Sequence, residues 1–201
     1  MCGLNLMTKK TILVLGNDKL SQKAAAILRG RTPEIELVID QSTNWMRILR
    51  LLYRRRLSTT LLLKMFCCEL RRPSYEELGV YPAIANNTDL VNMIDRINPS
   101  AVILFRAGLI INRSVIGTGI PILNIHCARV PEFGGLGSIH RALVAGAYMQ
   151  CATLHRVTTT IDEGEVFDTE DYQLDPSASY CHNEELAYDA GIRLLQRTIM
   201  G

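Results

Sequence analysis

The chain has 201 residues, of which 48% are hydrophobic and 21% charged, with a formal net charge of +2. That balance excludes a disordered or fibrous protein and allows a sizeable buried core. So small an excess of positive charge gives no reason to expect a nucleic-acid partner, and any partner must be read from where the charges sit.

Residues 1–10 read as a loose leader, too short and too weakly apolar for a signal peptide. A single domain is expected over 11–201. The six cysteines are Cys2, Cys67, Cys68, Cys127, Cys151 and Cys181. No CxxC pair occurs and no secretory signal is in view, so reduced thiols in a cytoplasmic protein are expected, and no metal site.

The run 10–16 has the composition of a buried strand, 21–31 that of a helix and 35–39 that of a second strand. This alternation predicts an α/β fold with a Rossmann-like, doubly wound, mostly parallel sheet and helices on both faces. The turn after the first strand reads Gly16-Asn17-Asp18-Lys19-Leu20, which is neither a G-x-G-x-x-G turn nor a Walker loop, so a nucleotide cradle of either kind is not expected.

Residues 44–72 combine apolar positions with Arg47, Arg50, Arg54, Arg55, Arg56, Lys64, Arg71 and Arg72. Charge interrupts the segment too often for a bilayer span. The favoured reading is an amphipathic helical excursion packed on the sheet with a solvated basic face. The sharper reading is a surface that meets phosphates, on a nucleotide-linked substrate or on anionic lipid. Further on, 73–87 is loop-rich, 88–97 has helical spacing, 101–105 is a buried strand and 112–116 a short helix.

The next stretch, Pro121-Ile122-Leu123-Asn124-Ile125-His126, reads as a buried strand. Alternation places Asn124 and His126 on one face, two polar groups among aliphatics, each needing a partner. A loop follows through Pro131-Glu132-Phe133-Gly134-Gly135. A strand-like run 152–157 then leads to Ile161-Asp162-Glu163-Gly164, with Asp162 expected at a strand end. Asn, His and Asp together offer what acyl transfer to an amine needs: donors for an oxygen gaining charge, and a carboxylate to take up a proton. A neighbouring carboxylate is also expected to favour a charged His126. Cys127 directly follows His126, but adjacent strand residues face opposite ways, which excludes a Cys127–His126 dyad.

This ordered set resembles the folate-dependent formyltransferases, a family that includes glycinamide ribonucleotide, methionyl-tRNA and sugar N-formyltransferases. The residues carrying the resemblance are Asn124-x-His126, the Pro-aromatic-Gly loop, Ala142-Leu143 with Gly146, Thr153-x-His155 and Asp162-x-Gly164. The resemblance implies transfer of a formyl group from 10-formyltetrahydrofolate to an acceptor amine, with Asn124, His126 and Asp162 as the catalytic residues. It also implies that Arg106, Ala107, Gly108, Leu109 and Ile110 meet the pterin, largely through backbone groups, along with Ile161, Glu163 and Gly164. His155 is read as an orienting or packing residue.

Three departures from the family pattern bear on substrate and turnover. The turn at 16–20 lacks the phosphate loop of the glycinamide ribonucleotide branch. Cys127-Ala128 stands where relatives have Pro-Ser, and Cys151 stands where they have glycine. The last helical pattern, 182–198, runs almost to the end, so no tRNA-type C-terminal barrel is expected. The acceptor expected by elimination, from the missing phosphate loop, the missing tRNA-type barrel and the basic segment, is a nucleotide-linked amino sugar. The alternatives are a 10-formyltetrahydrofolate hydrolase, for whose extra N-terminal domain the stretch before Thr11 has no room, and a non-catalytic folate-binding relative.

Overall fold

The structure is a computed structural model that describes residues 10–30, 34–42, 58–75 and 77–200. The first apolar run forms β1 (Thr11–Gly16), buried along its whole length. It lies inside a seven-stranded sheet, paired in parallel with β2 (Ile35–Asp40) on one side and β4 (Ala101–Phe105) on the other. A two-residue strand β3 (Ala83–Ile84) pairs with β2, and β5 (Ile122–His126) pairs in parallel with β4. Two antiparallel strands, β6 (Met149–Arg156) and β7 (Val166–Gln173), complete the order β3-β2-β1-β4-β5-β6-β7. The expected α/β, mostly parallel sheet in a single domain is therefore found.

Six α-helices occur among the described residues: α1 (Lys19–Leu28), α2 (Thr59–Arg71), α3 (Asn87–Ile97), α4 (Arg113–Ile116), α5 (Ser138–Val144) and α6 (Tyr180–Met200). Side-chain oxygens of Asp18, Ser58, Asn86 and Asn112 accept from the first-turn N–H groups of the first four, which satisfies donors the helix itself leaves unpaired. The period of two along each strand divides the core. Leu13, Leu15, Ile103, Phe105, Leu123 and Ile125 belong to one cluster, shared with α1 and α6. Ile12, Val14, Val102, Leu104 and Ile122 belong to the other, shared with α3. Asn124 and His126 fall in register with Ile122, as the alternation predicts.

The long helix α6 approaches the sheet so closely that Gly191 has no room for a side chain. A Cβ there would stand 2.5 Å from Cys127 Sγ and 3.0 Å from Phe105. Gly191→Ala is expected to destabilise the protein by about 1–3 kcal/mol, the usual cost of overpacking. It should appear as a lower urea midpoint with an unchanged slope, and an unchanged midpoint would contradict this packing. The same contact accounts for Cys127: its thiol is buried, and burial pushes its pKa up, so it is an inert packing group.

Two expectations are corrected. The cysteines are not all reduced thiols: Cys68 on α2 and Cys181 on α6 form a disulfide, while Cys67, Cys127 and Cys151 are free. The sequence separation of 113 residues hid this pairing until the fold brought the two helices together. Asp162 does not lie at a strand end either. It occupies the connection between β6 and β7, with a left-handed φ of 54°. Of the basic segment 44–72, residues 44–57 lie outside the described residues, as do residues 1–9 of the leader. The described remainder is α2, whose buried residues are Leu61 and Cys68.

Candidate active site

The antiparallel register of β5 and β6 sets Asn124 directly opposite His155 and His126 opposite Thr153. Cross-strand partners of this kind have their side chains close together, and Asn124 Nδ2 lies 3.1 Å from His155 Nε2. His155 Nδ1 lies 3.1 Å from the Arg156 carbonyl oxygen, which can only accept, so that nitrogen carries the proton. Nε2 of the neutral ring is then an acceptor, and the Asn124 amide donates to it. The second Asn124 N–H points to Asp162 Oδ1 at 3.5 Å, a long and weakly held contact.

His126 is fixed by the same reasoning. Its Nε2 donates to the Phe133 carbonyl at 3.0 Å, and its Nδ1 faces Asp162 Oδ2 at 3.5 Å. The Gly135 N–H donates to Asp162 Oδ2 at 2.6 Å. Arg141 on α5 donates to the Gly134 carbonyl between them. Three consecutive loop residues thus hold His126, Arg141 and Asp162.

Burial works to raise the Asp162 pKa, but the neighbouring His155 at 3.4 Å, His126 at 3.5 Å and the Gly135 N–H outweigh it and hold the carboxyl at about 2. For His126 the balance goes the other way. Burial lowers its pKa below 6.5, and Asp162 and the Phe133 carbonyl only partly oppose it. The expectation of a charged His126 is corrected: at neutral pH the ring is neutral, with a free Nδ1 lone pair beside an ionised Asp162.

The structure therefore brings Asn124, His126 and Asp162 together, and adds His155, the Phe133 carbonyl and the Gly135 N–H. The adjacent glycines 134 and 135 were the sequence's signal that backbone would approach closely here. The stretch 106–110 follows β4, the neighbour of β5. The Arg106 Nε donates to Asp18 Oδ2 at 2.7 Å and the guanidinium lies 4.1 Å from the centre of the Tyr188 ring, while Nη1 is buried without a hydrogen-bond partner among the described residues. Ala107 and Leu109 pack against the α3-side core. Of the backbone groups expected to meet a pterin, the Leu109 N–H already donates to Asp40 and the Ile110 carbonyl accepts from Asn87. Gly108 shares this stretch. Ile110 and Ile161 are 50% and 63% exposed, and Glu163 is exposed. Gly164 lies against the Arg156 carbonyl, where a Cβ would stand 1.8 Å from the oxygen. Among the described residues, no group of three or more His, Cys, Asp or Glu is arranged to hold a metal ion, and no helix is long and apolar enough to cross a membrane.

A family model described as formyl transferase matches residues 10–197. The methionyl-tRNA formyltransferase of Rickettsia rickettsii is 22% identical over 125 residues, 61% of this chain and 41% of its own length. The chain thus spans about two fifths of the curated relative it matches. Among solved structures, glycinamide ribonucleotide transformylase 1 of Geobacillus kaustophilus aligns with a TM-score of 0.65 at 16% identity, covering 95% of this chain and 96% of that one. A Mycobacterium tuberculosis protein proposed to be a sugar N-formyltransferase aligns with a TM-score of 0.64 at 15% identity, covering 94% and 65%. At these identities the structural likeness carries the fold alone.

Proposed function

Since the chain belongs to the formyl transferase family, we propose that it transfers a formyl group from 10-formyltetrahydrofolate to the amine of a small acceptor, an amino sugar of the nucleotide-linked kind. The observation that carries this reading is the contact set of Asn124, His126, His155 and Asp162 at 3.1–3.5 Å. The co-substrate supplies the electrophilic formyl carbon. The weakly held Asn124 N–H turns from Asp162 to the formyl oxygen as that oxygen gains charge. The neutral His126 takes the proton of the attacking amine on Nδ1, and the ionised Asp162 beside it stabilises the imidazolium so formed. The proton passes on to the co-substrate nitrogen as its bond to the formyl carbon breaks and tetrahydrofolate leaves. His155 keeps the Asn124 amide in place. The exposed Ile110 and Ile161 suit the apolar face of a flat ring system.

The choice of acceptor is supported by the N-terminus of α1, where helices commonly bind phosphate. Here Asp18 caps the Ser21 N–H and Glu69 of α2 accepts from the Lys19 N–H at 2.7 Å. The chain's own carboxylates fill that seat, which disfavours an acceptor anchored by phosphate at this helix. The decisive experiment is a screen of amines with 10-formyltetrahydrofolate, following the appearance of tetrahydrofolate. Formate release without any amine would replace this reading with a hydrolase, and binding without turnover would replace it with a folate-binding protein.

The pH dependence has a definite sign. The folded His126 pKa lies below 6.5, so as pH falls from that value the unfolded chain binds more protons and stability is lost. Asp162, at about 2 against an ordinary 3.8, adds stability that is fully present above 3.8 and is lost as pH falls towards 2. The transfer rate, measured in single turnovers, should therefore fall on the acid side as His126 takes up its proton, and hold its plateau above pH 6.5. A decline through mildly alkaline pH would mean that a charged His126 is the working form.

A further inference from the structure

The Cys68–Cys181 disulfide borders a cavity of about 400 Å³ that is also lined by Lys64, Arg71, Ser179 and the free Cys67. Cys68 is fully buried, whereas Cys181 is partly exposed, so a thiol entering the cavity reaches the Cys181 sulfur first. The bond also holds a lightly anchored element. Only Leu61 and Cys68 of α2 are buried, and Leu61 Cδ2 stands 3.0 Å from where a Cβ on Gly137 would be. Gly137 ends the loop whose Phe133 carbonyl and Gly135 N–H hold His126 and Asp162. At its other end, α2 places Glu69 on the first turn of α1.

We propose that Cys68–Cys181 is a redox clasp, opened by small thiols that carry negative charge, and that it seats α2 against the loop that grips His126 and Asp162. Lys64 and Arg71 at the cavity favour the anionic thiol. Its thiolate attacks Cys181 Sγ, forms a mixed disulfide there and expels Cys68 as a thiolate, which takes up a proton. A second thiolate attacks the outer sulfur of the mixed disulfide, leaving as the oxidised small disulfide and freeing Cys181. Two thiols thus supply the two electrons that reduce the bond. With α2 then held by Leu61 and by polar contacts such as that of Glu69 with the Lys19 N–H, the loop at 133–137 loosens. The effect on transfer rate rests on the function proposed above, whereas the exchange reaction and the loosening do not.

The test compares mercaptosuccinate with cysteamine at equal thiolate concentration, following the mixed disulfide by mass and the Gly135 amide by hydrogen exchange. Mercaptosuccinate should react several-fold faster, an advantage that shrinks in high salt and in the Lys64→Gln/Arg71→Gln variant. After reduction, Gly135 should exchange at least threefold faster and formyl transfer should slow by a similar factor, with both reversed on reoxidation. A Cys67→Ser variant should behave as the unaltered protein. Equal reaction of the two thiols would overturn the anionic preference, and unchanged Gly135 exchange would overturn the clasp. Faster exchange in a protein that transfers no formyl group in either state would uphold the clasp and overturn the proposed function instead.

Discussion

Asp162→Asn is expected to slow formyl transfer by about 10²–10³, the loss that follows removal of one preorganised polar group from a site of this kind. The substitution keeps the shape of the side chain and an oxygen for the Gly135 N–H. Asparagine also tolerates the left-handed backbone that residue 162 adopts, so the connection between β6 and β7 should hold. What disappears is the charge 3.5 Å from His126 Nδ1, and with it the stabilisation of an imidazolium formed during the reaction. Single-turnover rates, beside thermal melts to verify folding, measure the effect. Near-normal turnover would remove Asp162 from the mechanism. The double variant with His126→Ala should be scarcely slower than the worse single one, because the two groups act as a unit.

Removing one partner of the Arg72–Glu184 pair is expected to cost about 3–5 kcal/mol of stability, since it strands the other charge in the interior. The two side chains are 5% and 3% exposed and meet at 2.5 Å. Glu69 lies 3.4 Å from the same guanidinium and would still partner it in Glu184→Gln, so Arg72→Met, which leaves the buried Glu184 without its ion pair, is the cleaner removal. Replacing both, as Arg72→Met with Glu184→Leu, should recover most of the loss, because no unpaired charge remains. Urea unfolding measures both variants. A single-variant cost below 1 kcal/mol would mean that water reaches the pair.

The strands and long helices were legible because their apolar residues repeat with a clear period. Asn124 and His126 were legible by the same rule, as polar residues at alternate positions of an apolar run. His155 was named, but its contact with Asn124 depends on the antiparallel register of β5 and β6, which no local pattern encodes. The Phe133 carbonyl and Gly135 N–H act through backbone, so their residue types say little about their roles. The charge of His126 was misread because the sequence displays its carboxylate neighbour and conceals its burial. The two-residue β3 is too short for alternation to register. The Cys68–Cys181 and Arg72–Glu184 pairs join residues more than a hundred positions apart, and only the packing of α2 on α6 brings them together.

The bond between Cys68 and Cys181 gives the oxidised, denatured chain the topology of a ring with two tails. The ring holds β3 to β7, whereas β1 and β2 belong to the leading tail and most of α6 to the trailing one. Closing so long a ring removes many denatured conformations and in the chain-entropy account favours the native state. Yet β1, an interior strand of the sheet, is outside the ring and must still find the middle strand, β4, inside it. The route along the backbone from β1 to β4 is no shorter with the bond than without it. Oxidation thus narrows the disorder of the chain while leaving its central search as wide as before, so its benefit should fall mainly on the rate of unfolding.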